Sequence, residues 1–171
     1  MDIGKELKKL RERKDLPQKA IASDMFVNQS LVSKIELGER RATEEFLKNS
    51  ASLYNDAQYG FAVAYEVAGD YVPPLATANK GIEWHRLALE AAFKQEAKEA
   101  IEHFNNVSLV KHPNFATKEE IEQIEIGVKE LLDVQIAINS FLAKLEQVYP
   151  ISVKKCMKNR IPTWKATGWI D

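Results

Sequence analysis

Residues 16–38, LPQKAIASDMFVNQSLVSKIELG, constrain the fold more than any other stretch. Pro17 suits a first helical position, where the N–H it lacks would have no intrahelical partner. Ile21, Ala22 and Met25 follow at the spacing of one helical face. Asn28 is a good N-cap and Gly38 a good stop, so a second short helix is expected over 29–37. Helices this short are marginal alone and need tertiary packing. The small Ala22 suits a close crossing, with Met25, Val32 and Ile35 forming the apolar junction. Gln29, Ser30, Ser33 and Lys34 are then left facing outward.

The flanking segments are also helical in pattern. Ile3, Leu7 and Leu10 share one face of a preceding helix. Thr43 caps a fourth helix, with Glu44 and Glu45 where acids favour the helix dipole and Phe46, Leu47, Ser50 and Leu53 as its expected inner side. A fifth helix is expected from 56 to 68. The proline- and glycine-containing run GDYVPPLATANKG at 69–81 marks a boundary. Beyond it two long helices are expected, 82–105 and 117–149, while 151–171 has no clear periodicity. Strand signals are weak throughout. The expected fold class is all-α: a five-helix domain over 1–70, a linker over 71–81 and a helical domain, chiefly a long hairpin, over 82–171.

The charge pattern matters more than its sum of −1. Residues 1–54 carry 11 Lys/Arg and 9 Asp/Glu, residues 55–150 carry 8 and 15, and residues 151–171 carry 5 and 1. Both ends are basic and the middle acidic, which is compatible with a nucleic-acid partner at one end. Residues 1–10 alternate charges with aliphatics rather than forming the apolar run of a secretory signal. The one cysteine, Cys156, excludes an internal disulfide framework. A cytoplasmic location and no membrane partner are therefore expected.

Arg11, Gln18, Ala22 and the run Val32-Ser33-Lys34-Ile35-Glu36-Leu37-Gly38 resemble the lambda-repressor-like (Cro/cI or Xre) helix-turn-helix family, over about residues 3–68. The resemblance implies that helix 29–37 enters the major groove of double-stranded DNA, with Gln29, Ser30 and Lys34 at base-reading positions and Ser33 on the same outward face. It implies that Gln18 binds a phosphate and braces the first recognition-helix residue, with Asn28 beside it. Arg40 and Arg41 fall where the family contacts backbone phosphate. Arg11 and Glu36 match an ion pair tying the first helix to the third. Phe26 stands where the family has a glycine in the left-handed conformation, and Pro17 replaces a common Ser/Thr cap. The competing reading of Gln29, Ser30 and Lys34 is an ordinary solvated helix face.

Between 117 and 149, Ile121, Ile124, Val128, Leu131, Ile138, Leu142 and Leu145 follow a heptad in which only Gln135 is polar. Ile82, Leu89, Phe93, Ala97 and Ile101 supply the preceding helix at near-heptad steps. One helix-turn-helix unit reads few base pairs, and such domains pair on twofold-related half-sites. The heptad residues are therefore the expected homodimer interface, with an intramolecular core as the alternative. In 151–171, the lysines with Trp164 and Trp169 fit a DNA-backbone arm, a partner-binding segment, or tryptophans stapling the segment onto the helical core, the reading favoured here.

His85, His103 and His112 form no metal-binding spacing, and no phosphate loop or nucleophile elbow is present. The expectation is a non-enzyme without cofactor: a dimeric repressor of the phage-like, mobile-element kind. The alternative is a protein-interaction module, antitoxin- or anti-repressor-like, whose helical half binds a regulatory protein partner.

Overall fold

A computed structural model of the chain describes residues 2–77 and 83–171. Ile82 and residues 78–81 of the expected linker lie outside them. The described residues are all-helical: α1 (Ile3–Arg13), α2 (Gln18–Asp24), α3 (Gln29–Glu36), α4 (Glu44–Leu53), α5 (Ala57–Ala68), α6 (Arg86–Asn106), α7 (Lys118–Val148) and α8 (Val153–Ala166), with a 3-10 turn at Pro113–Phe115. No described helix is long and apolar enough to cross a membrane.

Side-chain caps explain many of these boundaries. The Asp2 carboxylate accepts from the backbone of Gly4 at 3.1 Å, Asn28 from Leu31 at 2.8 Å, Thr43 from Phe46 at 3.2 Å and Asp56 from Tyr59 at 2.8 Å. Each satisfies a first-turn N–H that the helix itself cannot pair.

By its contacts the chain divides into two units, one running to Pro74 and including Leu145–Asp171, the other Leu75–Lys144. In the first, Leu7, Leu10, Ile21, Val32, Ile35, Phe46, Leu47 and Tyr59 form one buried cluster drawn from α1 to α5. The Ser50 and Tyr59 hydroxyls lie 2.8 Å apart inside it, and burial pushes the tyrosine up to about 12. Leu53, expected on the inner side of α4, is exposed.

This division differs from the expected boundary, because residues after 144 are tied to α4 and α5. The Glu146 carboxylate accepts from the backbone of Ala57 and of Val153, both at 2.6 Å, and so caps α5 and α8 together. Ser152 donates to Asn55 at 2.5 Å, and the Lys154 ammonium reaches the Ser52 carbonyl. The segment expected to lack periodicity forms α8, with Pro162 inside the helix. The expected tryptophan staple does not describe it. Trp169 is 78% exposed, and Trp164 is partly buried with Arg160 over its ring at 5.9 Å.

In the second unit α6 and α7 pack antiparallel. Phe93 stacks on Phe141 at 6.2 Å, and a Cβ on Gly127 would lie 2.6 Å from the Phe104 ring. Ser140 accepts from the Ala76 backbone at 2.9 Å, fixing the segment beside the buried Leu75. Ile101 is exposed and Ala100 is buried in its place. A straight helix of 3.6 residues per turn drifts off a heptad, so Leu89, Phe93, Ala100 and Phe104 stay on one side while Ile101 rotates away. On α7, Gly127, Ala137 and Ser140 are buried, whereas Ile121, Val128, Leu131 and Ile138 are exposed. Ile124 and Leu142 are half-buried, as is Leu145 in the first unit.

Candidate nucleic-acid interface

Helix α3 is eight residues long, and its two faces differ sharply. Val32 and Ile35 are buried in the shared core, while Gln29, Ser30 and Lys34 are exposed and Ser33 is half-buried. Val32 and Ile35 fix the helix's rotation, so the polar side chains are displayed outward without needing to pack. Asn28 spends its carbonyl oxygen on the cap, so its observed role is to start α3.

A chain of polar contacts runs behind the exposed face. Arg11 Nε donates to Glu36 Oε1 at 2.8 Å and its Nη2 to Glu36 Oε2 at 3.1 Å, a two-point pairing of planar groups. Arg11 Nη1 also donates to the Leu16 carbonyl at 3.1 Å. Glu36 Oε2 receives a further bond from Gln18 Nε2 at 2.9 Å, and Gln18 Oε1 accepts from Gln29 Nε2 at 3.3 Å. Hydrogen bonding to Glu36 raises the Arg11 pKa above its ordinary value, keeping the guanidinium charged. The result is a fixed relay from the interior of α1 to the first residue of α3. Residue spacing does not reveal that Gln18 bonds to Glu36 as well as to Gln29.

The turn before α3 contains Phe26 at φ +54°, a left-handed conformation costly for any residue with a Cβ, and the ring is 96% exposed. Asp15, after α1, shares the conformation at φ +52°. Pro17 takes the N-cap position of α2 without a side-chain cap bond. Arg40 and Arg41 are exposed on the loop after α3, beside a cleft of about 420 Å³ that Phe26, Leu31 and Phe46 also line.

Other features of this unit escaped sequence reasoning. Arg13 pairs with Asp56 through two bonds of 2.8 Å, and the Tyr54 hydroxyl donates to Asp24 at 2.6 Å. The first ties α1 to the start of α5, and the second ties α2 to the end of α4. Gly4 lets α1 approach α3 so closely that a Cβ there would lie 2.0 Å from the Ile35 carbonyl oxygen. Among the described residues, no group of His, Cys, Asp and Glu could hold a metal ion.

Residues 2–55 match the family model of the helix-turn-helix domain. The match covers α1 to α4 and the turn between α2 and α3, and makes this part of the chain a DNA-binding domain by type. No curated protein and no solved structure matches the chain significantly.

Proposed function

We propose that the protein is a sequence-specific regulator of transcription, a repressor of the lambda-repressor-like kind that lays α3 in the major groove and acts without catalysis or cofactor. The carrying observation is the pairing of an exposed polar face on α3 with the Arg11–Glu36–Gln18–Gln29 relay behind it. A glutamine held at a helix start can make two hydrogen bonds to adenine, and a lysine one turn later can donate to guanine. Gln18, Arg40 and Arg41 supply the phosphate contacts that set register.

Competition gel shifts against genomic fragments test this reading. Gln29→Ala with Lys34→Ala should reduce preference for the specific site by about 1–3 kcal/mol per contacted base while sparing weak general binding. Unaltered specific binding by that folded variant refutes the assignment.

The protein works as a homodimer in this reading, through α7. Ile121, Val128, Leu131 and Ile138 form an exposed aliphatic stripe on α7, and Leu131 is 51% exposed. Water-facing aliphatic stripes of this kind favour association. Sedimentation of the full chain should give a dimer that Leu131→Lys with Ile138→Lys converts to monomer. A wild-type monomer at micromolar concentration removes this part of the reading. The alternative, an antitoxin- or anti-repressor-like module with a regulatory protein partner, draws on the exposed Leu109, Val110 and Phe115 between α6 and α7.

A further inference from the structure

Helix α8 carries Lys154, Lys155, Lys158, Arg160 and Lys165 and no acidic residue. This composition sets it apart from its surroundings. Lys5, Lys9, Lys48, Lys94 and Lys98 each meet a carboxylate three or four residues away on their own or adjoining turns. Lys155 and Lys158 have no partner among the described residues. Lys165 reaches only the Asp171 backbone carbonyl, and Arg160 only the Trp164 ring.

The arrangement around the helix is ordered as well. At 100° per residue, Lys154, Lys155, Lys158 and Lys165 fall within an arc of about 100°, and Val153, Met157, Ile161 and Trp164 within a neighbouring arc of about 80°. The apolar arc contains the docked side: Val153 and Met157 line a cavity of about 440 Å³ with Phe61 and Ala64 of α5. Val153 is half-buried and Lys154 is anchored on the Ser52 carbonyl, while Lys155, Lys158 and Lys165 are exposed, as are Met157 and Ile161 of the apolar arc. The helix is held to the helix-turn-helix unit by Glu146 and Ser152, so these charges belong to the same compact body as α3.

We propose that the Lys155–Lys158–Lys165 face of α8 is a second nucleic-acid contact, which binds duplex phosphates without reading sequence. The proposal rests on the DNA-binding reading of the first unit and extends its footprint beyond α3. Cations on one helix face with no carboxylate side chain paired to them match a polyanion, and each phosphate they neutralise releases condensed counterions.

The test is salt-dependent fluorescence anisotropy of the full chain with a labelled duplex of arbitrary sequence. The variant Lys155→Gln/Lys158→Gln/Lys165→Gln should lower the slope of log affinity against log salt by about 2–3, roughly 0.9 for each lost contact. Its preference for a specific fragment over competitor should stay unchanged. The three single variants, each losing about 0.9, give the same answer if the triple variant fails to fold. An unchanged slope in folded variants overturns the proposal and leaves the α3 reading intact. A reduced slope, with specificity insensitive to Gln29→Ala/Lys34→Ala, supports α8 and overturns α3 as the reader. A wild-type chain that binds no duplex at low salt overturns both. Binding of phosphatidylglycerol vesicles that the triple substitution abolishes, with the DNA slope unmoved, assigns the face to an anionic membrane surface and also overturns the proposal.

Discussion

Gln18 donates to Glu36 at 2.9 Å and accepts from Gln29 at 3.3 Å, so one side chain joins a nearly buried carboxylate to the first residue of the exposed helix. Its amide orientation is thereby set: nitrogen toward the carboxylate, oxygen toward Gln29. Removing it should loosen Gln29 without dismantling the core, because Arg11 still pairs with Glu36. Gln18→Ala is expected to weaken specific DNA binding by about 1–2 kcal/mol, the range for hydrogen bonds to charged and neutral partners. Filter binding against a specific fragment, with urea denaturation as the control, checks this. A loss of stability larger than the loss of affinity contradicts it.

The Arg11–Glu36 pair is a matter of stability. The two side chains are 18% and 3% exposed, so truncating the arginine strands a carboxylate away from water. Arg11→Ala should cost about 3 kcal/mol, since an unpartnered buried charge is penalised more heavily than an intact pair is rewarded. Replacing both, Arg11→Met with Glu36→Leu, should recover most of that loss. Urea midpoints of the three proteins provide the comparison, and equal destabilisation by the single and double changes would contradict it.

Gly4 marks the closest approach of α1 to α3. With a backbone oxygen 2.0 Å from the position a Cβ would take, the two helices must separate to admit a methyl group. Gly4→Ala should therefore destabilise by about 1–3 kcal/mol, the usual cost of overpacking, despite alanine's better helix propensity. Thermal unfolding by circular dichroism reads the effect, and a rise in Tm would rule out the close contact.

Phe26 gives the opposite sign. Its ring is nearly all in solvent and its backbone is left-handed, so strain is held with little packing to offset it. Phe26→Gly should relieve about 1 kcal/mol of that strain, less part of the greater chain entropy glycine carries when unfolded. A higher Tm with unchanged DNA affinity is expected. Lost affinity at unchanged stability would show that the ring itself touches the ligand.

Legibility in the sequence followed the kind of physics involved. The caps at Asn28 and Thr43 and the inward Val32 and Ile35 were readable because each depends on a residue and its near neighbours, whereas the left-handed turn at Phe26 was expected only through the family resemblance. The heptad showed that apolar residues lie along α7 but not which side meets α6, and small residues, Gly127 and Ala137, occupy buried positions on that helix. Val153, Met157, Ile161 and Trp164 do carry the helical spacing of α8, but Pro162 sits inside the helix, where a proline ordinarily breaks one. Its docking depends on Glu146, whose two N–H partners lie 89 residues upstream and 7 residues downstream. Spacing within a window cannot reveal such a carboxylate. Gln18's bond to Glu36 was hidden for a related reason, since amide orientation depends on the surrounding network.

The Glu146 bridge also gives the DNA-binding unit a history during synthesis. Its core, from Leu7 to Val63, can collapse once α5 has emerged from the ribosome. The first turn of α5 then waits, its Ala57 N–H lacking a partner until Glu146, 89 residues further along the chain than Ala57, has been made. A nascent chain paused before that point carries α3 and its polar face without α8 docked on α4 and α5. Translation speed through α6 and α7 thus sets how long a partly assembled DNA binder exists in the cell.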